Sequence, residues 1–135
     1  MASADVVVTV TGAAGLVKTS MVRRGQIILS LSNPVPEIDP AAAMEAGAAF
    51  AADGKVVNNV LGFPGIFRGA VDANVPRITQ DMLLAAARAI AESAPKGEIV
   101  PSPLDLGLHK NVARAVARVA VEKGLNRDDL TGYFD

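Results

Sequence analysis

Cysteine is absent from this 135-residue sequence, which excludes a disulfide framework, a thiolate metal site and a cysteine nucleophile. One histidine is too few for a His-rich zinc site. Aromatic residues make up 4% of the chain although hydrophobic ones reach 50%, with a mean hydropathy of +0.32. The core must therefore be built of small aliphatic side chains, Ala and Val above all, as at helix–sheet contacts. No apolar run reaches the ~20 residues needed to span a bilayer, and Met1-Ala2-Ser3-Ala4-Asp5 lacks the basic n-region of a signal peptide; the expectation is a cytoplasmic chain that engages no membrane. Thirteen basic against 14 acidic residues, a formal net charge of -1, lack the basic excess of a nucleic-acid binder. Lys110, Arg114 and Arg118 do recur every four residues, but without interleaved aromatics to stack on bases they read as a solvated helix face.

What is present is punctuated by glycine and proline. Asp5 to Thr11 is a β-branched run without strict polar alternation, the pattern of a parallel strand buried on both faces. Gly12-Ala13-Ala14-Gly15 turns the chain into a predicted short helix, Val17 to Arg24, closed by Gly25. Gln26 to Ser32 reads as a second strand, ended by Asn33-Pro34 because proline has no donor for the ladder. Asp39 as N-cap, Pro40 at the first helical position and Gly47 just past the end predict a helix over 39–47. Ala48 to Ala52 predicts a third strand and Asp53-Gly54 a turn. The order strand, helix, strand, helix, strand is a parallel βαβαβ unit with right-handed crossovers. Beyond it come three further predicted helices: Phe63 to Ala73, where Gly65 and Gly69 would admit a neighbouring backbone; Gln80 to Ser93, capped by Thr79; and Leu108 to Lys123, closed by Gly124. The expected fold is α/β, a partial Rossmann-like parallel sheet with additional C-terminal helices, in a single domain over residues 1–135.

The stretch hardest to explain by packing is Val57-Asn58-Asn59-Val60-Leu61-Gly62-Phe63-Pro64-Gly65-Ile66-Phe67-Arg68-Gly69-Ala70. Two adjacent amides between apolar neighbours mark either a turn that bonds itself or a pair facing a polar ligand. Together with Ser32-Asn33-Pro34-Val35-Pro36-Glu37-Ile38 and Pro101-Ser102-Pro103-Leu104-Asp105, this stretch resembles the C-terminal half of the NAD(P)-binding domain of bacterial-type malic enzymes, from about Asp5 to about Gly124. Those enzymes oxidatively decarboxylate malate to pyruvate with a nicotinamide cofactor and a divalent metal. The resemblance implies NAD or NADP as cofactor and malate or pyruvate as substrate. It assigns substrate contacts to Asn33 and Asn59, and the cofactor side to Thr11, Gly12, Asn33 and Asn58. It implies no catalytic residue and no metal ligand in this segment, because the family's lysine base, tyrosine acid, metal carboxylates and Gly-rich pyrophosphate loop precede it. A divalent metal would then be needed only if the missing part were supplied. The expectation is a fragment or relic, inactive alone, that forms a homo-oligomer or docks on a complementing chain. The chain also departs from the family between its third strand and the Asn pair, where Asp53-Gly54-Lys55-Val56-Val57 replaces a longer loop.

Two other readings follow from the residues. A non-catalytic binding module would dock on a chain that carries the missing half. A degenerate short-chain dehydrogenase is suggested by Thr11-Gly12-Ala13-Ala14-Gly15, but Lys18 stands where a third small residue is needed and no acid ends the second strand. The one tyrosine, Tyr133, has no lysine four residues on. His109 reads as a surface or capping residue, and Asp105 as an acid that ties its loop to backbone donors.

Overall fold

A computed structural model describes residue 1 and residues 3–135, which divide into two compact units, Met1–Asn58 and Asn59–Asp135. The first unit is a three-stranded parallel sheet: β1 (Val6–Thr9), β2 (Ile27–Ser30) and β3 (Phe50–Asp53), in the order β1-β2-β3. Val7 pairs with Ile28 and Ile28 with Ala51, so these three share one face. On that face Ile28 packs in a cluster with Val17, Ile38, Ala43 and Ala48, and with the partly buried Val22 and Ala51. Helix α1 (Pro40–Glu45) covers it through Ala43, fully buried. The helix begins where predicted because the Asp39 carboxylate accepts from Ala42 N at 3.1 Å, and Gly47 closes it at φ 103°.

Two expectations about this unit are corrected. Val6, Val8 and Ile27 on the opposite face are 51%, 54% and 38% exposed, so β1 is covered on one face and not on both. The helix expected over 17–24 is a single 3-10 turn, Thr19–Met21. The Val17 N–H bonds the Glu37 carbonyl at 3.1 Å, and eight residues between two glycine turns offer too few helical bonds to offset the cost of nucleation.

The second unit is helical: α2 (Gly65–Asp72), α3 (Gln80–Glu92) and α4 (Leu106–Glu122), preceded by a 3-10 turn at Asn59–Leu61. α4 packs against both other helices, burying Leu108, Val112, Val116, Ala117 and Ala120 with Met82 and Ala86 of α3 and Ala70 of α2. α2 and α4 meet through glycine, as the four-residue spacing predicts. A Cβ at Gly65 would lie 2.7 Å from Val112 Cβ, and one at Gly69 would lie 2.3 Å from the Ala113 carbonyl oxygen. Thr79 caps α3 by accepting from Met82 N at 3.4 Å, and Asp105 caps α4 by accepting from Gly107 N at 2.8 Å. That second bond starts α4 two residues before the apolar stripe alone suggests.

Candidate functional site

The carboxyl ends of parallel strands are where an α/β sheet leaves backbone free for a ligand. At that edge of the first unit the structure places a buried carboxylate that organises the loops. Glu37 is fully buried. Its Oε1 accepts from Thr11 N at 2.6 Å, Thr11 Oγ1 at 2.8 Å and Ser32 Oγ at 2.6 Å, and its Oε2 accepts from Thr9 Oγ1 at 3.0 Å. Burial alone would raise this carboxyl; the donors of Ser32 and Thr11 outweigh it and hold the group well below the usual carboxylate range. Thr9 uses its one proton on Glu37, so Ser30, 3.0 Å away, donates to Thr9. Ser32 likewise donates to Glu37 and accepts from Gly12 N at 2.9 Å. The loops that follow β1 and β2 are thereby fixed to each other through one carboxylate.

This network decides what each expected site residue can offer. The amides of Thr11 and Gly12 are already spent on Glu37 and Ser32, so these two residues can border a ligand but not donate to it from the backbone. Gly12 is at φ 73° with open space where a Cβ would stand, so glycine serves there for its conformation and not for clearance. Asn33 is exposed, just past β2, and its side chain bonds no described residue. Its amide lies against Gly54, where a Cβ would come within 2.8 Å of Asn33 Nδ2 and 2.7 Å of the Leu31 carbonyl oxygen. Asn58 Nδ2 donates to the Gly54 carbonyl at 3.2 Å. Gly54 thus brings the Asn33 amide and the Asn58 amide to one turn of the first unit. Asp53 shapes that turn by accepting from Lys55 N at 3.0 Å and Val56 N at 3.3 Å. Asn59 opens the second unit on its 3-10 turn, exposed, its carbonyl accepting from Gly62 N and Phe63 N at 3.0 Å each.

Sequence reasoning passed over Glu37, Ser32 and Gly54. The available signal was the hydroxyls Thr9, Thr11, Ser30 and Ser32 at two strand ends, a density of donors that calls for a shared acceptor. His109 belongs to the second unit, in α4, its Nε2 2.9 Å from the Pro103 carbonyl. Among the described residues no group of three or more His, Cys, Asp or Glu is placed to hold a metal ion. The donors present suit a dinucleotide differently at its two ends. Asn33 can serve a ribose hydroxyl or a carboxamide, whereas the G-x-G-x-x-G loop that would cradle a pyrophosphate does not occur in the sequence.

A three-stranded parallel sheet linked by crossovers, with its polar loops at the carboxyl edge, defines a Rossmann-like α/β unit. Residues 50–123, more than half of the chain, match the family described as malic enzyme, NAD binding domain. The chain is 57% identical over 121 residues to NAD-dependent malic enzyme 1 of Bacillus subtilis, covering 90% of this chain and 28% of that protein. Among solved structures, the malic enzyme from Pyrococcus horikoshii superposes with a TM-score of 0.84 at 40% identity, over 93% of this chain and 32% of that one. The malic enzyme of Entamoeba histolytica gives 0.84 at 35% identity, over 93% and 29%. The chain belongs to the malic enzyme NAD-binding domain family, and it spans about a third of the length of these relatives. Relatives named as NAD-dependent and as NADP-dependent both occur, the latter including the enzyme of Halomonas elongata at 36% identity. No helix among the described residues is long and apolar enough to cross a membrane.

Proposed function

We propose that this chain is the nicotinamide-cofactor part of a malic enzyme, acting on malate with NAD or NADP, and that by itself it does not turn malate over. The observation that carries this reading is the loop pair fixed by Glu37, which leaves the Asn33 amide exposed and without a bonding partner among the described residues at the carboxyl edge of a parallel sheet. A nicotinamide, when bound, would accept hydride from the substrate carbon. Asn33 would donate to the cofactor ribose or the substrate, and Asn59 to the malate carboxylate. Neutral amides suit both tasks because they add no charge beside the hydride acceptor. Thr11 and Gly12 would border the cofactor without donating to it, and Asn58, anchored on Gly54, would support the turn.

Lysine base, tyrosine acid and metal carboxylates would come from a further segment or a complementing chain, with the two units working as one domain. The exposed face of Val6, Val8 and Ile27, beside the unpaired edge of β1, favours association, as a homo-oligomer or with that complement. An assay with malate, NAD or NADP and manganese should give no reduced cofactor above background, since acid–base and metal contributions are each worth orders of magnitude in rate. Metal-dependent turnover in proportion to this purified chain would contradict the proposal. Sedimentation across micromolar concentrations should show association, and a monomer throughout would contradict that part.

A further inference from the structure

The second unit contains a cavity of about 500 Å³ between α2, α4 and the C-terminal segment, and none of Thr11, Gly12, Asn33, Asn58 or Asn59 lines it. Its charged lining is Arg68, Asp72, Lys110 and Arg114, with His109 and Tyr133 beside them. Three permanent cations therefore face one carboxylate, and that carboxylate is already engaged. Asp72 Oδ2 accepts from Arg68 Nε at 2.7 Å and from the Tyr133 hydroxyl at 2.7 Å. Arg68 keeps its two terminal nitrogens. Arg114 donates from Nη2 to the Asp135 carbonyl, and its Nε is buried without a partner. His109 donates from Nε2 to the Pro103 carbonyl, which leaves Nδ1 as the buried atom without a partner. Those two orphans are the only buried side-chain polar atoms among the described residues that lack a hydrogen bond, and both belong to walls of this one cavity. Buried polar groups are normally satisfied; of the two, Arg114 Nε is a donor that an acceptor held in this hollow would satisfy, whereas His109 Nδ1, with the ring proton on Nε2, is itself an acceptor.

Lys110 and Arg114, which the sequence presents as a solvated stripe, are drawn by the fold to one side of this hollow. Arg118, the third member, instead stacks over Phe134 at 5.2 Å. Pro64, Gly65, Ala113 and the ring of Tyr133 supply apolar surface between the charges. Guanidinium forks recognise planar or tetrahedral oxyanions in two-point contacts, and a hollow of this size is in the range that encloses a small organic molecule. We propose that this cavity is a binding site for an organic oxyanion, a carboxylate or phosphate carried on a small apolar body.

The probes are cyclohexanecarboxylate, cyclohexyl phosphate and the neutral cyclohexanecarboxamide, titrated calorimetrically into the full chain. Tyr133 emission gives a local readout, because the chain has one tyrosine and no tryptophan. An anion should bind at least about tenfold more tightly than the amide, with affinity falling as salt rises. Tighter carboxylate binding assigns a carboxylate source, and tighter phosphate binding a phosphate source. Arg114→Met should weaken binding about tenfold, and Lys110→Met, at an exposed position that leaves the fold intact, about threefold. Neither heat nor an emission change with either anion up to about 10 mM would overturn the proposal. So would equal binding of the amide, or unchanged affinity in Lys110→Met should Arg114→Met fail to fold.

Discussion

The two units solve the same problem, holding short elements at fixed distances, by opposite means. In the first, a buried charge does it: Glu37 is wholly enclosed and ties two strand ends through threonine and serine donors. In the second, the absence of side chains does it: Gly65 and Gly69 let α2 lie against the backbone of α4. A carboxylate network fixes loops in one orientation but depends on pH, whereas glycine contact fixes helix separation and depends on volume. The candidate cofactor edge is built the first way, which suits loops that must present an amide at a defined position.

Substitutions that exchange the two devices should break the comparison. Gly69→Ala should have the largest effect, destabilising the second unit by roughly 3 kcal/mol, because its methyl would meet the Ala113 carbonyl oxygen at 2.3 Å. Residue-resolved hydrogen exchange should show protection lost in α2 and α4 and retained in β2. Equal loss in β2 would mean that the units are not independently held.

Glu37→Gln should come next, costing the first unit about 2 kcal/mol through loss of charge-assisted hydrogen bonds. The pH dependence follows from the direction of its shift. The folded-state carboxyl lies below its unfolded value, so its contribution is fully present above the ordinary glutamate range near ~4.3 and is lost as pH falls through the lower folded value. Acid titration should therefore weaken the first unit progressively below about pH 4, and Glu37→Gln should flatten that limb. In the second unit Asp72 is also held low, its Arg68 and Tyr133 bonds outweighing the burial that raises it, but the α2–α4 contact does not depend on its charge. An acid limb unchanged by Glu37→Gln would remove the network from the account.

The smallest effect is expected at a helix start. Asp105→Ala removes the acceptor for Gly107 N and should cost about 1 kcal/mol, visible as faster exchange in the first turn of α4 only.

Much of the fold was legible because its signals are local. Asp39, Pro40 and Gly47 bound α1, Thr79 opens α3, and the spacing of Gly65 and Gly69 announces a close approach. The three strands appear where the β-branched and apolar runs place them, each trimmed by one to three residues at its ends or shifted slightly along the chain. The site was less legible because its determinants lie far apart in sequence. Glu37 reaches donors 26 and 28 residues away, and nothing around Pro36-Glu37-Ile38 distinguishes it from a loop acid. The partner of Tyr133 lies 61 residues off. The missing 17–24 helix has another origin: eight residues between two glycine turns are too few to offset the cost of nucleation, which periodicity does not weigh.

Spectral mapping of cofactor binding tests the central claim most directly. NAD titrated into the uniformly ¹⁵N-labelled chain should shift the amides of Thr11, Gly12, Ser32 and Asn33 together with the Asn33 side-chain amide, and Asn33→Ala should weaken the effect by about fivefold or more, the loss of one to two hydrogen bonds. Shifts confined to residues outside this edge, or an affinity unchanged by Asn33→Ala, would contradict the assignment of the Glu37-fixed loops to the cofactor.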